Sequence, residues 1–213
     1  METKKFKKIG RPRVVDRNKV LDAAEHLLVE GGIEALTMDN VAREAGITKG
    51  GVQYCFGNKD GLMRAIINRW SAVFDVKVNI CKQGSTDPRA HIAAHIKVTR
   101  EGEQTDDSRF SAMMASLVPN SEQLEESRKW YSHQIDGLDM NDPADRKARL
   151  AFIAAEGAFL LRSFNLFAFT ESQWQEIYDD IEKLIAPEQD SSRAWHQAQN
   201  PSDPSDHMEA ASD

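Results

Sequence analysis

The stretch over residues 45–62, AGITKGGVQYCFGNKDGL, decides the fold, because its eighteen residues hold one helix end and two helix starts. Gly46 has the freedom to enter the left-handed conformation that closes a helix, and Thr48 supplies a hydroxyl for the first free amides of the next. Asn58 offers the same cap ten residues later, with Asp60 in the first turn, where the helix dipole favours a negative charge. The helix between, from Thr48 to Tyr54, is only about two turns long.

Upstream, Asp16 caps a first helix that runs from about Arg17, with Val20, Leu21, Ala24, Leu27 and Leu28 at helical spacing until Gly31 and Gly32 end it. Thr37 caps a short second helix with Met38, Val41, Ala42 and Ala45 as its apolar stripe. Downstream, a long helix over residues 59–81 carries Leu62, Ile66, Trp70, Val73 and Phe74 on one side and joins the small module to the remainder. After a break at residues 84–88, helical patterns return at 89–104, 107–117, 121–138, 143–167 and 171–185. No stretch alternates as a strand would, so the fold class is all-α. The expected organisation is a basic flexible arm over 1–15, a three-helix domain over 16–63 with a helix-turn-helix at about 37–56, a larger helical domain over 64–186 and a disordered acidic tail over 187–213.

Charge is split along the chain. Lys and Arg number 11 against 9 Asp and Glu through Leu62, and 16 against 25 beyond it, within an overall formal charge of -7. Phosphate attraction is thus concentrated at one end of the molecule. No apolar run approaches the roughly 20 residues of a membrane helix, and the basic start is not followed by the apolar segment of a signal peptide. Two cysteines, Cys55 and Cys81, are too few for a disulfide framework. A cytoplasmic protein without membrane association is expected.

Reading bases in a major groove needs a helix whose N-terminal part is free to approach, held by a second helix that crosses the phosphates. Residues 37–56 have that form. Gly50 and Gly51 inside the short helix each cost about 1 kcal/mol relative to Ala, which suggests that side chains are excluded there by the partner helix or by DNA. In the basic arm, Arg11 and Arg13 suit insertion into the narrow minor groove of A·T-rich DNA.

Thr37, the Ala45-Gly46 turn, Thr48-Lys49-Gly50, Phe56, Lys59 and Leu62 together resemble the pattern of the tetracycline-repressor (TetR) family, over about residues 16–63. The resemblance implies a homodimeric transcriptional regulator, usually a repressor, with a C-terminal helical domain that binds a small effector. It places Thr37 on a phosphate, Thr48, Lys49 and Gly50 at the opening of the recognition helix, Gln53 and Tyr54 projecting from it, and Lys59 on a second phosphate. This chain departs from the common pattern at Gln53 and Cys55, where aromatic residues are frequent. Glutamine bonds bidentately to an adenine edge, so Gln53 is the expected direct reader.

A single two-turn recognition helix covers few base pairs, so specificity calls for two copies on half-sites of a palindromic double-stranded operator. The segment ARLAFIAAEGAFLLRSFNLFAF is apolar nearly all round and contains small residues. Ala154, Gly157, Ala158 and Leu161, with Trp174, Ile177 and Ile181 on the last helix, are the expected homodimer surface, a four-helix bundle with the second copy. Trp70, Phe74, Phe110, Met113, Met114, Trp130, Phe152 and Phe159 are candidates to line an effector cavity, and each is equally able to serve as plain core. Glu156 lies within AFIAAEGAFLL and, if buried, must find a partner. The alternatives are a cationic, drug-like ligand, as for a repressor of an efflux or detoxification gene, or a place at the dimer interface, paired with Arg162 or a backbone group.

Two other classes compete. His91 and His95 stand at i, i+4 on a helix, as two zinc ligands do, but no glutamate follows His91 and no third ligand is evident. No nucleophile elbow or phosphate loop occurs, so neither enzyme chemistry nor a cofactor is expected. An architectural DNA-binding protein is disfavoured because most of the chain is acidic.

Overall fold

The computed structural model describes residues 15–102 and 121–186, the first three of the second segment through their backbone only. Arg11, Arg13, Phe110, Met113 and Met114 lie outside the described residues, as do the expected helix over 107–117, the arm over 1–15 apart from its last residue, and the tail over 187–213. The described elements are α1 (Arg17–Ala35), α2 (Met38–Glu44), α3 (Lys49–Phe56), α4 (Lys59–Cys81), α5 (Pro88–Arg100), α6 (Ser121–Gln134), α7 (Pro143–Ser163) and α8 (Glu171–Lys183). The fold is all-α, with no strand among the described residues. No described helix is long and apolar enough to cross a membrane.

Caps set the boundaries of the first four helices. The Asp16 carboxylate accepts from the amides of Asn18 and Lys19, Thr37 Oγ1 from Asn40, Thr48 Oγ1 from Gly51 and Asn58 Oδ1 from Gly61, at 2.8–3.4 Å. Between α2 and α3, Gly46 stands at φ 65° while the Gly46 amide bonds Arg43 O and the Ile47 amide bonds Ala42 O. That pair of bonds is a Schellman closure, which the left-handed residue makes possible. Helix α1 does not stop at its glycines. Gly32, at φ 63°, kinks it and one further turn carries it to Ala35.

Helix α7 ends at Ser163, four residues before its apolar pattern does, because Asn165 takes φ 50° and closes a second Schellman pair, Asn165 N to Arg162 O and Leu166 N to Leu161 O. Asparagine tolerates this conformation well enough to cap, but its signal is weaker than glycine's.

Helices α1–α4 surround one apolar cluster in which Val20, Ala24, Leu28, Leu36, Val41, Val52, Leu62 and Ile66 are essentially inaccessible. A second cluster joins Ile92 and Ile96 of α5 to Ala148, Ala151, Phe152 and Ala155 of α7 and to Trp174, Tyr178 and Ile181 of α8. Each large aliphatic side chain removed from water contributes roughly 1.5–3 kcal/mol before entropy is counted. Helix α4 belongs to the first cluster through Leu62 and Ile66, and its Val78 forms a third, smaller cluster with Ala94 and Val98 of α5. Arg69, midway along α4, holds Asp22 at 2.6 Å and Glu25 at 3.0 Å on α1.

The α3–α4 corner is tight. A Cβ on Gly61 would lie 2.1 Å from the carbonyl oxygen of Phe56, a backbone atom that cannot step aside alone. Gly61→Ala is therefore expected to destabilise the fold by about 2–3 kcal/mol through overpacking. Urea unfolding of the variant checks this, and an unchanged midpoint would show that the corner has slack.

Candidate nucleic-acid interface and ligand cavity

Helix α3 stands at the surface with its apolar residues Val52 and Phe56 turned into the first cluster. Its opposite side is open: Gln53 is exposed and Tyr54 is 89% exposed, which for an aromatic ring invites a partner. The C-terminal end is fixed by Arg17, whose guanidinium donates to the Cys55 carbonyl and lies 4.5 Å from the Phe56 ring centroid. A cation there satisfies a free carbonyl and complements the negative helix end. Cys55 is half-buried at this junction, packed against the first cluster.

The glycines of α3 are not required by the packing of the chain itself. A Cβ on Gly50 would meet nothing nearer than Thr48 Oγ1 at 3.9 Å, and on Gly51 only ordinary contacts with Ile47, Thr48 and Val15 at 3.4–3.6 Å. Exclusion by the partner helix, one of the two reasons expected for the pair, thus finds no support in the distances.

Thr37, the cap of α2, and Thr48, Lys49 and Gly50, at the start of α3, are all exposed. Lys49 pairs with Asp39 at 2.8 Å, an exposed ion pair of about 0–1 kcal/mol that an arriving phosphate can replace. Lys59 donates one bond to the Ile33 carbonyl at 3.2 Å, which leaves two of its three ammonium hydrogens available.

The second candidate site is a cavity of about 740 Å³ between α4, α6 and α7. Of the residues expected to line it, Trp70, Phe74, Trp130, Glu156 and Phe159 do so. Phe152 is behind the wall, nearly buried, with its ring edge-on to His95 at 4.9 Å. The rings of Phe74 and Trp130 meet edge-to-face at 5.9 Å, and those of Trp130 and Tyr131 at 5.0 Å. Two carboxylates enter this aromatic box. Asp75 takes the indole N–H of Trp130 at 3.2 Å. Glu156 approaches His95 Nε2 at 2.7 Å and also hydrogen-bonds the Tyr131 phenol. Burial, and then the neighbouring Glu156, push the Tyr131 phenol well above its usual range, so it remains a donor at any physiological pH.

Neither partner expected for Glu156 is the one it has. Arg162 instead reaches Glu171 at 3.1 Å. His95 is completely buried, and its Nδ1 lies 3.3 Å from Gln134 Oε1, which also sits 3.0 Å from His91 Nε2. The i, i+4 histidines are thus gathered on a glutamine. Burial pushes His91 below its ordinary value, which its bond to Gln134 only partly opposes. Asp75, Tyr131 and Gln134 escaped the sequence reading. Asp75 directly follows Phe74 on the stripe of α4, and that adjacency is the signal that was available for it.

On the expected dimer surface, Ala158, Trp174 and Ile181 are buried in the chain's own second cluster, while Ala154, Gly157, Leu161 and Ile177 are half-buried. The apolar groups left exposed on α7 are Leu150, Ile153 and Leu160, followed by Phe164, Leu166, Phe167 and Phe169.

Residues 20–66 match the model of bacterial regulatory proteins of the tetR family, and residues 89–186 match that of the tetracyclin repressor-like C-terminal domain. The HTH-type transcriptional regulator BetI of Rhizobium meliloti is 27% identical over 159 residues, covering 70% of this chain and 78% of that protein. The BetI regulator of Burkholderia lata is 33% identical over 98 residues, so the chain spans about half the length of that relative. Among solved structures, a transcriptional regulator from Saccharomonospora viridis in complex with choline superposes with a TM-score of 0.63 at 13% identity, covering 78% of this chain and 95% of that one. The multidrug binding protein EbrR complexed with ethidium has a TM-score of 0.56 at 22% identity, covering 78% and 96%. With a capped helix-turn-helix at one end, a helical domain at the other, and both matched by models of one family, the protein belongs to the TetR family of transcriptional regulators.

Proposed function

We propose that this regulator is a homodimeric repressor that holds a palindromic operator and releases it when a cationic small molecule enters the cavity between α4, α6 and α7. The single observation that carries the reading is the position of Glu156, a carboxylate on the wall of an aromatic box that includes Trp70, Phe74 and Trp130. Aromatic faces and a carboxylate together favour a desolvated cation, and quaternary ammonium groups above all. The choline and ethidium of the two solved structures support a ligand of this class. The effector is accordingly a choline-like or larger quaternary cation.

Residues 16–63 form the DNA-binding unit and 64–186 the effector and dimer unit. On DNA, Gln53 and Tyr54 face the bases, while Thr37, Thr48, Lys49 and Lys59 meet phosphates and Gly50 allows the backbone to approach. Arg11 and Arg13 follow the minor groove. The second copy docks along α7, where Leu150, Ile153, Gly157, Leu160 and Phe164 fall on one face at helical spacing. A Cβ on Gly157 would meet nothing within 4 Å in the single chain, which leaves room for a partner helix to come close.

Two outcomes test these assignments. Gln53→Ala is expected to weaken operator binding by about 1–3 kcal/mol and to relax discrimination at two symmetry-related positions. Binding titrations across operator variants read this, and relaxation at one position alone would contradict the dimer. Glu156→Gln is expected to abolish thermal stabilisation by choline and ethidium while leaving stabilisation by neutral aromatics in place. Equal shifts in variant and wild type would remove Glu156 from the site.

A further inference from the structure

The proton between His95 and Glu156 is fixed by a glutamine two contacts away. Gln134 is almost wholly buried, and its NH2 group donates to the carbonyl of Trp130 on its own helix at 3.3 Å. Its oxygen therefore faces α5, where it meets both His91 Nε2 and His95 Nδ1. A carbonyl oxygen only accepts, so each of these ring nitrogens carries a hydrogen. Turning the amide over would set its oxygen against the Trp130 carbonyl with no proton between them. With Nδ1 protonated, an unprotonated Nε2 would aim its lone pair at a carboxylate oxygen 2.7 Å away. That contact needs a hydrogen. One ionisable proton belongs to the His95–Glu156 pair, and the pair as a whole is neutral.

We propose that His95 is the resident counter-cation of the ligand cavity, and that a cation binding beside Glu156 displaces the shared proton to solvent. This rests on the reading of the cavity as a cation site. Without a ligand, the imidazolium keeps a partly buried carboxylate from standing uncompensated against aromatic walls. A bound cation takes over that role. The imidazolium–carboxylate pair and the incoming cation give a cation–carboxylate pair, a neutral imidazole and one proton in water, so that charge and atoms balance. The neutral His95 keeps its Nδ1–H on Gln134 and turns a lone pair toward Glu156. Their contact opens, and the carboxylate is released toward the cavity with the Tyr131 hydroxyl still donating to it. His95 is thus a specificity-determining residue that acts through Glu156: a ligand must carry a permanent charge strong enough to replace a proton.

The groups around the pair do not supply the effect. On α6, Tyr131 stays protonated for the reasons above, and Glu126 and Lys129 line the cavity with opposite charges. On α4, Asp75 is held by Trp130, Lys77 adds a positive charge at the wall, and Arg69 is paired with Glu25 of α1. On α5, His91 is driven toward its neutral form by burial.

Calorimetry of the full-length protein with choline and ethidium, in buffers of different ionisation enthalpy, counts protons released. The expected result is release of protons, up to one per cation. Because proton and cation compete, affinity should rise with pH by up to about tenfold per unit. His95→Gln should bind both probes with no proton release and no pH slope, and more tightly than wild type at acidic pH. Binding by the wild type without proton release, or a slope that survives in His95→Gln, overturns the proposal while leaving the cation reading intact. If neither probe binds the wild type at any pH, the cation reading fails and this inference with it. The wild-type count stands on its own should the variant not fold.

Discussion

Helix α4 has to satisfy two cores at once, and the remainder of the structure depends on that constraint. Its first two turns lock Leu62 and Ile66 among the helices that present α3, while its last turns pack Val78 against α5. Between them it supplies Trp70, Phe74 and Asp75 to the cavity and Arg69 to the ion pairs with α1. A continuous helix transmits a rotation or shift along its length because its backbone bonds do not yield locally. In the proposed mechanism a ligand that moves the wall formed by Trp70 and Phe74 acts on the element against which α3 packs. The differential contacts needed for such coupling are modest, a few kcal/mol between two states.

The DNA-reading end was legible in the sequence because its boundaries are written in single residues. Asp16, Thr37, Thr48 and Asn58 cap where expected, and Gly46 supplies the left-handed turn, all within a local stretch of chain. Gly61 was not recognised, since its requirement is set by the carbonyl of Phe56 across a corner that only coordinates reveal. The end of α7 was placed late for a related reason: Asn165 closes the helix in a conformation that an apolar pattern continuing through Phe167 conceals.

The cavity was harder to read because its chemistry is assembled from positions far apart in the chain. Glu156 stood out as a charge in an apolar segment, but its partner, His95, lies 61 residues away on another helix. The i, i+4 spacing of His91 and His95 drew attention to a metal. What it encodes is a shared hydrogen-bond acceptor, Gln134, on a third helix. No local rule links a glutamine on α6 to the protonation of a histidine on α5. The consequence is considerable, since it determines whether the carboxylate in the cavity stands alone or within a neutral pair before a ligand arrives.

In the proposed mechanism effector and operator compete through α4, and the affinity of the protein for its operator with and without ligand tests that most directly. Titration of labelled operator with the full-length protein, at fixed salt and pH and with choline or ethidium saturating, is expected to show affinity lowered by at least about tenfold, as a coupling of 1.4 kcal/mol or more requires. Operator affinity unchanged under saturating cation would contradict it.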